Sequence, residues 1–201
     1  MTGGEPRPGE RLLDLVAVMA RLRAECAWTQ GQTHDSLGRY LLEETYETLE
    51  ALDAGDTDLL REELGDLLMQ VVFHAAVAAD SGEGWDVDDV AAGITDKLVR
   101  RNPHVFGDGT ARTPEEIDAA WQAVKAQEKP REHPLDGIAR DLPALATARK
   151  ALDRVPDLDT SGDDVGARLL RLVAEARDLG VDAEEALRRA VRERVQRPPA
   201  G

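Results

Sequence analysis

Several residue types are scarce in this chain, and each scarcity excludes a class of protein. The 201 residues contain one cysteine, Cys26, so an intrachain disulfide is impossible and the reducing cytoplasm is the expected location. Aromatic residues make up 3% of the chain, which disfavours a β-sandwich and favours helices. No apolar run approaches the roughly 18 residues of a membrane span, and the first ten residues lack a signal-peptide core.

Positive charge is also scarce. The chain has 25 Lys and Arg against 40 Asp and Glu, a net charge of −15. This balance argues against a surface for a nucleic-acid polymer or a membrane, because either would need a basic face. A small anionic ligand would therefore have to bind a local basic cluster or a metal ion. The apolar content of 42% is ample for a core in one domain or two small ones.

The sequence from Leu41 to Val72 has the periodicity of two apolar helices joined by a short turn. Within Ala54-Gly55-Asp56, glycine suits a helix end and aspartate a helix cap, so we expect an antiparallel hairpin. The periodicity predicts these inward-facing residues: Leu41, Thr45, Thr48, Leu49 and Leu52 on the first helix, and Leu60, Leu64, Leu67 and Val71 on the second.

Two acidic pairs lie on this hairpin, Glu44 with Glu47 and Glu63 with Asp66, each spaced i, i+3. The pairs are symmetric about Gly55, so at about 1.5 Å rise per residue the four carboxylates should gather on one face. Four like charges at close range repel each other unless a cation lies among them.

A solvated helix surface is the alternative explanation of these acids. Surface helices usually intersperse bases among their acids, whereas Arg61 is the only base between Leu41 and Val72. An all-carboxylate donor set without His or Cys suits a hard divalent cation. The pattern therefore favours a site for Mg²⁺, with Mn²⁺ also possible.

The remaining segments also read as helices, which predicts an all-α protein built as an antiparallel helical bundle. We expect helices over 10–24, from 87 to 101 after a cap at Asp86, and from a capping box at Thr113 to about 127. Further helices are expected over 135–152, interrupted at Pro143, and over 164–179 and 182–196. His34 and Asp35 are expected to cap the first helix of the hairpin.

Several motifs together resemble the MazG-type nucleoside triphosphate pyrophosphohydrolases. Glu43-Glu44-x-x-Glu47 followed by Glu63-x-x-Asp66 is similar to the EExxE…ExxD signature of that all-α family. The flanks resemble further family segments: Cys26 to His34 is similar to CPWDxxQT, Asp96 to Phe106 to DKLxRRHPHVF, and Trp121-x-x-x-Lys125 to WExxK. This sequence departs from the pattern at Ala27, Thr29 and Asn102, which bears on base selectivity more than on metal chemistry.

The resemblance implies roles for individual residues. Glu44, Glu47, Glu63 and Asp66 would be metal ligands, and one of them or Glu43 would accept a proton from the attacking water. The substrate-binding residues implied by the family, or by their place beside its motifs, are Trp28, Lys97, Arg100, Arg101, Trp121 and Lys125. For several of these residues a purely structural role is the alternative. Trp28 and Trp121 could belong to the core, and Lys97, Arg100 and Arg101 could complement a helix dipole.

The resemblance also predicts a domain organisation and a function. We expect disordered tails at 1–10 and 198–201, a catalytic module at 11–130, and a truncated second module at 131–197, where Ala167 stands in place of the last acidic ligand. The implied activity is Mg²⁺-dependent hydrolysis of nucleoside triphosphates between the α and β phosphates, for nucleotide-pool house-cleaning, in a homodimer or higher homo-oligomer. The alternative is a catalytically inactive regulatory or scaffold module.

Overall fold

The computed structural model describes residues 7, 9–128, 132–155 and 157–196, and the regular secondary structure of these residues is entirely helical. The prediction of an all-α protein is confirmed. The chain divides into two compact units, Met1–Lys125 and Ala126–Gly201. Within the described ranges, no helix has both the length and the apolar character needed to cross a bilayer. The predicted tails fall mostly outside these ranges, although Glu10 already begins the first helix.

The first unit is a set of helices in which two long ones form the centre. In chain order these are α1 (Glu10–Glu25), α2 (Ala27–Gln30), α3 (His34–Ala54), α4 (Thr57–Ser81), α5 (Val87–Arg101), α6 (Pro103–Phe106) and α7 (Pro114–Glu128), the last of which crosses the unit boundary. Helices α3 and α4 pack along each other, and α1 and α5 both contact α4.

The turn between α3 and α4 forms as its sequence predicts. Gly55 ends α3 in the left-handed region with a φ of 67°, a conformation that glycine adopts without steric cost. Asp56 caps α4 by accepting hydrogen bonds from the backbone N–H groups of Asp58 and Leu59, both at 3.0 Å. Only two residues separate the helices, so α3 and α4 run antiparallel.

The core of the first unit lies where α1, α3 and α4 meet. Its buried residues are Met19, Leu37, Val72, Phe73 and Val77, and the residues packed against them are Leu15, Val16, Tyr40, Met69, Ala76 and Val87. Three of the five buried residues, Val72, Phe73 and Val77, lie in the second half of α4, away from the turn at Gly55. Burial of these side chains is the main term that holds the long helices together.

The predicted inward faces of the hairpin are only partly right. Thr48 is buried, but Leu41 and Leu52 are 38% and 55% exposed on α3. On α4, Leu64 and Val71 are 50% and 42% exposed. Apolar residues occupy more than one side of each helix, and the buried side carries, besides Thr48, two residues outside the predicted faces, Ala51 and Gln70.

The segment before α3 differs from expectation in two respects. A short helix, α2, forms over Ala27–Gln30, where the sequence shows no helical period because one turn is too short to display it. The cap of α3 is Thr33, whose hydroxyl accepts a hydrogen bond from the Ser36 backbone N–H at 3.2 Å, and not His34 or Asp35. Those two residues are the first residues of the helix itself.

The second unit contains α8 (Ala144–Arg154), α9 (Val165–Asp178) and α10 (Ala183–Gln196), which contact one another. Leu152 and Val173 are its buried apolar residues, at 3% and 2% exposure. The predicted helix over 135–152 begins only at Ala144, after Pro143, and the described residues before the proline form turns. Asp164, where the sequence predicted the next helix to begin, caps α9 by accepting a hydrogen bond from the Ala167 backbone N–H at 3.0 Å.

Candidate functional site

Three carboxylates converge on one face of the α3–α4 hairpin, between the turn at Gly55 and the far ends of the two helices. Glu44 projects from α3, and Glu63 and Asp66 project from consecutive turns of α4. One carboxylate oxygen of each lies within 4.8 Å of the others, and all three side chains are half-buried. We call Glu44, Glu63 and Asp66 the acid cluster. The antiparallel register set by Gly55 and Asp56 is what brings the two helices' acids to the same level.

Two further predicted acids border this cluster. Glu47 is exposed and lies outside the 4.8 Å group, yet its charge raises the pKa of both Glu44 and Glu63. Glu43 is also exposed and has a smaller effect on Glu44. The structure therefore brings three of the four predicted ligands together and places the fourth at their edge.

Within the described part of the chain, every resolved influence on the carboxyl groups of Glu44 and Glu63 opposes their ionisation. Desolvation raises the pKa of Glu44 above 4.5, and the carboxylates of Asp66, Glu47 and Glu63 raise it further. Desolvation followed by Glu47 and Asp66 has the same effect on the pKa of Glu63. Each ionised group is disfavoured by its neighbours, and a divalent cation would relieve that repulsion.

The donor chemistry of the cluster fits a hard divalent metal ion. Mg²⁺ and Mn²⁺ prefer oxygen ligands, and the cluster offers carboxylate oxygens from two rigid helices. Among the described residues, this is the one group of three or more His, Cys, Asp or Glu side chains close enough to share an ion. The cluster can therefore hold a cation, and with it the phosphate oxygens of an anionic ligand.

The predicted substrate-binding residues on α5 have different environments. Lys97 and Arg100 are exposed, as a phosphate contact requires. Arg101 is 9% exposed, and its guanidinium carbon lies 5.2 Å from the ring centroid of Trp121 on α7. This cation–π contact between Arg101 and Trp121 links the end of α5 to α7. Lys125 lies one turn beyond Trp121 and is half-buried.

Trp28 lies at the rim of the core. Its ring is 55% exposed and makes an edge contact with Tyr40, with centroids 6.1 Å apart, and a tilted contact with Phe73 at 6.2 Å. This arrangement contains elements of both earlier interpretations. One side of the indole covers the core, and the exposed side remains accessible for stacking.

The segment that carries the acid cluster is similar to proteins of known family. The family model described as the MazG nucleotide pyrophosphohydrolase domain matches residues 32–106, which include the whole acid cluster. The chain is 40% identical, over 179 residues, to a protein of Escherichia coli K12 named nucleoside triphosphate pyrophosphohydrolase, covering 86% of this chain and 68% of that one. The chain belongs to the MazG family.

Two further comparisons describe other proteins that are similar to this chain. A protein of the same name from Mycolicibacterium smegmatis is 44% identical over 193 residues, which cover 94% of this chain but 58% of the relative. The chain thus spans a little over half the length of that relative. A crystal structure of a mazG-related protein from Thermotoga maritima aligns with a TM-score of 0.49 at 27% identity, covering 56% of this chain and 97% of that one. The predicted kinship to hydrolases of phosphoric anhydrides is confirmed at the level of the family.

Two polar features within the MazG-matched segment escaped the sequence analysis. Gln70 lies on α4 one turn after Asp66, is 3% exposed, and has no hydrogen-bond partner for its Oε1 atom among the described residues. Its signal was a single amide inside an apolar run. The second feature is a pair of histidines, His34 and His74, that contact each other across the hairpin. Their contact joins residues 40 positions apart, which helical spacing does not reveal.

Proposed function

We propose that this MazG-family chain is a Mg²⁺-dependent nucleoside triphosphate pyrophosphohydrolase. The observation that chiefly supports this proposal is the convergence of three half-buried carboxylates within 4.8 Å, in a chain of this family. Cleavage between the α and β phosphates would yield a nucleoside monophosphate and pyrophosphate. The names of the E. coli and M. smegmatis relatives support a triphosphate as the substrate class.

The acid cluster would hold the metal, with Glu47 as a further ligand at its edge. Mg²⁺ is the proposed ion and Mn²⁺ a substitute, since both suit carboxylate oxygens. When bound, such an ion neutralises phosphate charge and lowers the pKa of a coordinated water. The cluster carboxylates alone would repel a polyphosphate, so substrate binding would depend on the ion.

The other proposed roles belong to side chains of the same unit. Glu43, beside the cluster and exposed, can accept a proton from the attacking water. Lys97 and Arg100, together with Arg101 and Lys125, would bind the departing pyrophosphate. Trp28 and Trp121 would contact the nucleoside through their accessible sides. Arg101 and Trp121 also contact each other, so replacing either residue would affect both substrate binding and the packing of the protein.

The wider biological proposals follow from the family and the composition. The catalytic module is assigned to residues 11–130 and a truncated second module to 131–197, and the role is removal of unwanted nucleotides in the cytoplasm. The partner is a nucleoside triphosphate and neither a nucleic-acid polymer nor a membrane, in agreement with the net charge of −15.

We also propose a homodimer or higher homo-oligomer. Exposed apolar side chains on α1 and α5 support this proposal, because large exposed apolar surfaces usually mark the binding site of a partner subunit. Leu12, Leu13, Val90 and Ile94 are all more than a third exposed, and they line a groove of about 740 Å³ beside α4. The mass in solution by light scattering tests this, with a monomer as the contrary result.

Product analysis tests the proposed activity. The purified protein is incubated with a panel of ribo- and deoxynucleoside triphosphates and Mg²⁺, and monophosphate, diphosphate, pyrophosphate and orthophosphate are separated and quantified. The proposal requires monophosphate and pyrophosphate in equal amounts from at least one triphosphate, and none in the presence of EDTA. Diphosphate with orthophosphate would contradict the α–β cleavage. No product from any triphosphate, with intact helical circular dichroism, would favour the inactive scaffold.

A further inference from the structure

Gln70 is buried deep in the α3–α4 hairpin without a partner for its side-chain oxygen. The residue is 3% exposed, and its Oε1 finds no hydrogen bond within the described part of the chain. A buried acceptor without a donor is costly, and such groups usually have a water or ion as their unseen partner. Nothing in the packing of an apolar helix face requires an amide at this position.

The location of Gln70 identifies where that partner lies. Gln70 follows Asp66 by four residues on α4, so the two side chains are neighbours on one helix face. Helical side chains lean toward the helix N-terminus, so the Gln70 side chain leans over the turn that carries Asp66. The acid cluster is therefore the polar region nearest to the amide along the helix.

The other polar group near Gln70 on α4 is the histidine pair, which begins one turn further along the helix. His34 Nε2 lies 3.1 Å from a Glu83 carboxylate oxygen, and His34 Nδ1 lies 2.7 Å from His74 Nδ1. His74 Nε2 is buried without a hydrogen-bond partner among the described residues, so it does not pair with the Gln70 oxygen. The acid cluster is therefore the polar region left to supply a partner for Gln70 Oε1.

We propose that Gln70 is a positioning residue of the acid cluster, whose Oε1 accepts a hydrogen bond from water bound to the cation there. The inference rests on the proposed metal site. Mg²⁺ gives up its waters reluctantly, and the hydrogens of those waters need acceptors beyond the carboxylates. Groups that orient metal ligands from outside the coordination sphere affect metal affinity strongly.

The test is Mg²⁺ binding to the full chain, measured by calorimetry without nucleotide, for wild type and Gln70→Met. Methionine has a similar length and flexibility but cannot accept a strong hydrogen bond. The dissociation constant for Mg²⁺ should rise about tenfold or more. The metal-free melting temperature should stay equal or rise, because an unpartnered buried polar group is removed. Equal Mg²⁺ affinity in the two proteins overturns the inference, whatever the melting temperatures.

Thr48→Val is the matched control. Thr48 is also buried, at 7% exposure, but its hydroxyl already donates to the Glu44 carbonyl oxygen at 2.8 Å. Its loss should leave the Mg²⁺ affinity of the protein unchanged. If wild type itself binds no Mg²⁺, the proposed function fails as well; if wild type binds and Gln70→Met binds equally, only the role of Gln70 fails.

A measurement on the unmodified protein covers the case in which the variant does not fold. The side-chain amide of Gln70 can be assigned by NMR in labelled wild-type protein and followed during Mg²⁺ titration. Its signals should shift in step with Mg²⁺ saturation, since the oxygen gains a polarised donor. Signals that stay constant while the protein saturates with Mg²⁺ overturn the inference.

Discussion

The imidazole rings of His34 and His74 face each other across the α3–α4 hairpin, with their Nδ1 atoms 2.7 Å apart and their planes parallel within 1°. Trp85 stacks on His34, with ring centroids 5.8 Å apart and planes within 15° of parallel. Glu83, at the start of the loop after α4, contacts His34 and the indole N–H of Trp85. This group joins the N-terminal end of α3 to the C-terminal end of α4.

The histidine pair predicts a dependence of stability on pH. Burial, and then the neighbouring His34, lowers the pKa of His74 below 6.5 in the folded protein. Folding therefore favours the neutral imidazole. The corresponding stability is complete above pH 6.5 and is lost as the pH falls from there through the folded pKa.

The measurement is thermal unfolding between pH 7.5 and 5.5 for wild type and His74→Gln. Glutamine keeps a donor for His34 but does not titrate. Between pH 7.5 and 5.5, the melting temperature of wild type should fall by more than that of His74→Gln. Identical pH profiles for the two proteins would show that His74 does not control this loss.

The acid cluster predicts that one neutral substitution stabilises the metal-free protein. The folded state raises the pKa of Glu63, chiefly by desolvation and then by Glu47 and Asp66, so ionisation of Glu63 opposes folding above pH 4.5. Glu63→Gln should raise the melting temperature at pH 7.5 in EDTA. The same variant should lose most of the rise in melting temperature that millimolar Mg²⁺ gives wild type.

Glu50→Gln is the control for this effect, because Glu50 is an exposed acid of α3. It removes the same charge and should change neither the metal-free melting temperature nor the response to Mg²⁺. A lower melting temperature of Glu63→Gln in EDTA would contradict the account of repulsion within the cluster.

The basic residues of α5 should separate into two kinds. Arg101 is nearly buried against Trp121, so Arg101→Met should destabilise the protein by about 1–2 kcal/mol. Lys97 is exposed, so Lys97→Met should leave stability within about 0.5 kcal/mol of wild type and raise KM for the triphosphate. Denaturant unfolding and steady-state kinetics measure the two effects. A KM unchanged in Lys97→Met would remove that residue from the substrate site.

Much of this structure follows from local sequence signals, and the differences have physical causes. Gly55 acts through its own backbone conformation, and Asp56 and Asp86 accept hydrogen bonds from backbone N–H groups two and three residues ahead. These turns and caps are therefore readable from the local sequence. The level at which Glu44 meets Asp66 follows from the same turn.

Contacts between distant elements are less readable. Periodicity places Leu52 and Leu64 on the apolar face of their helices, but it does not show that a different face of the hairpin is buried. The partner of Arg101 comes from a separate helix across a loop, and the amide of Gln70 is notable only once its burial is known.

The most direct test of the central claim is the turnover of Asp66→Asn with Mg²⁺ and the best triphosphate substrate, beside Glu50→Gln. The substitution removes one ligand charge and keeps the side-chain volume, so the fold should persist by circular dichroism. The account predicts that Asp66→Asn retains no more than about a hundredth of the wild-type rate, while Glu50→Gln keeps the full rate. A rate for Asp66→Asn near that of wild type would contradict the assignment of catalysis to the acid cluster.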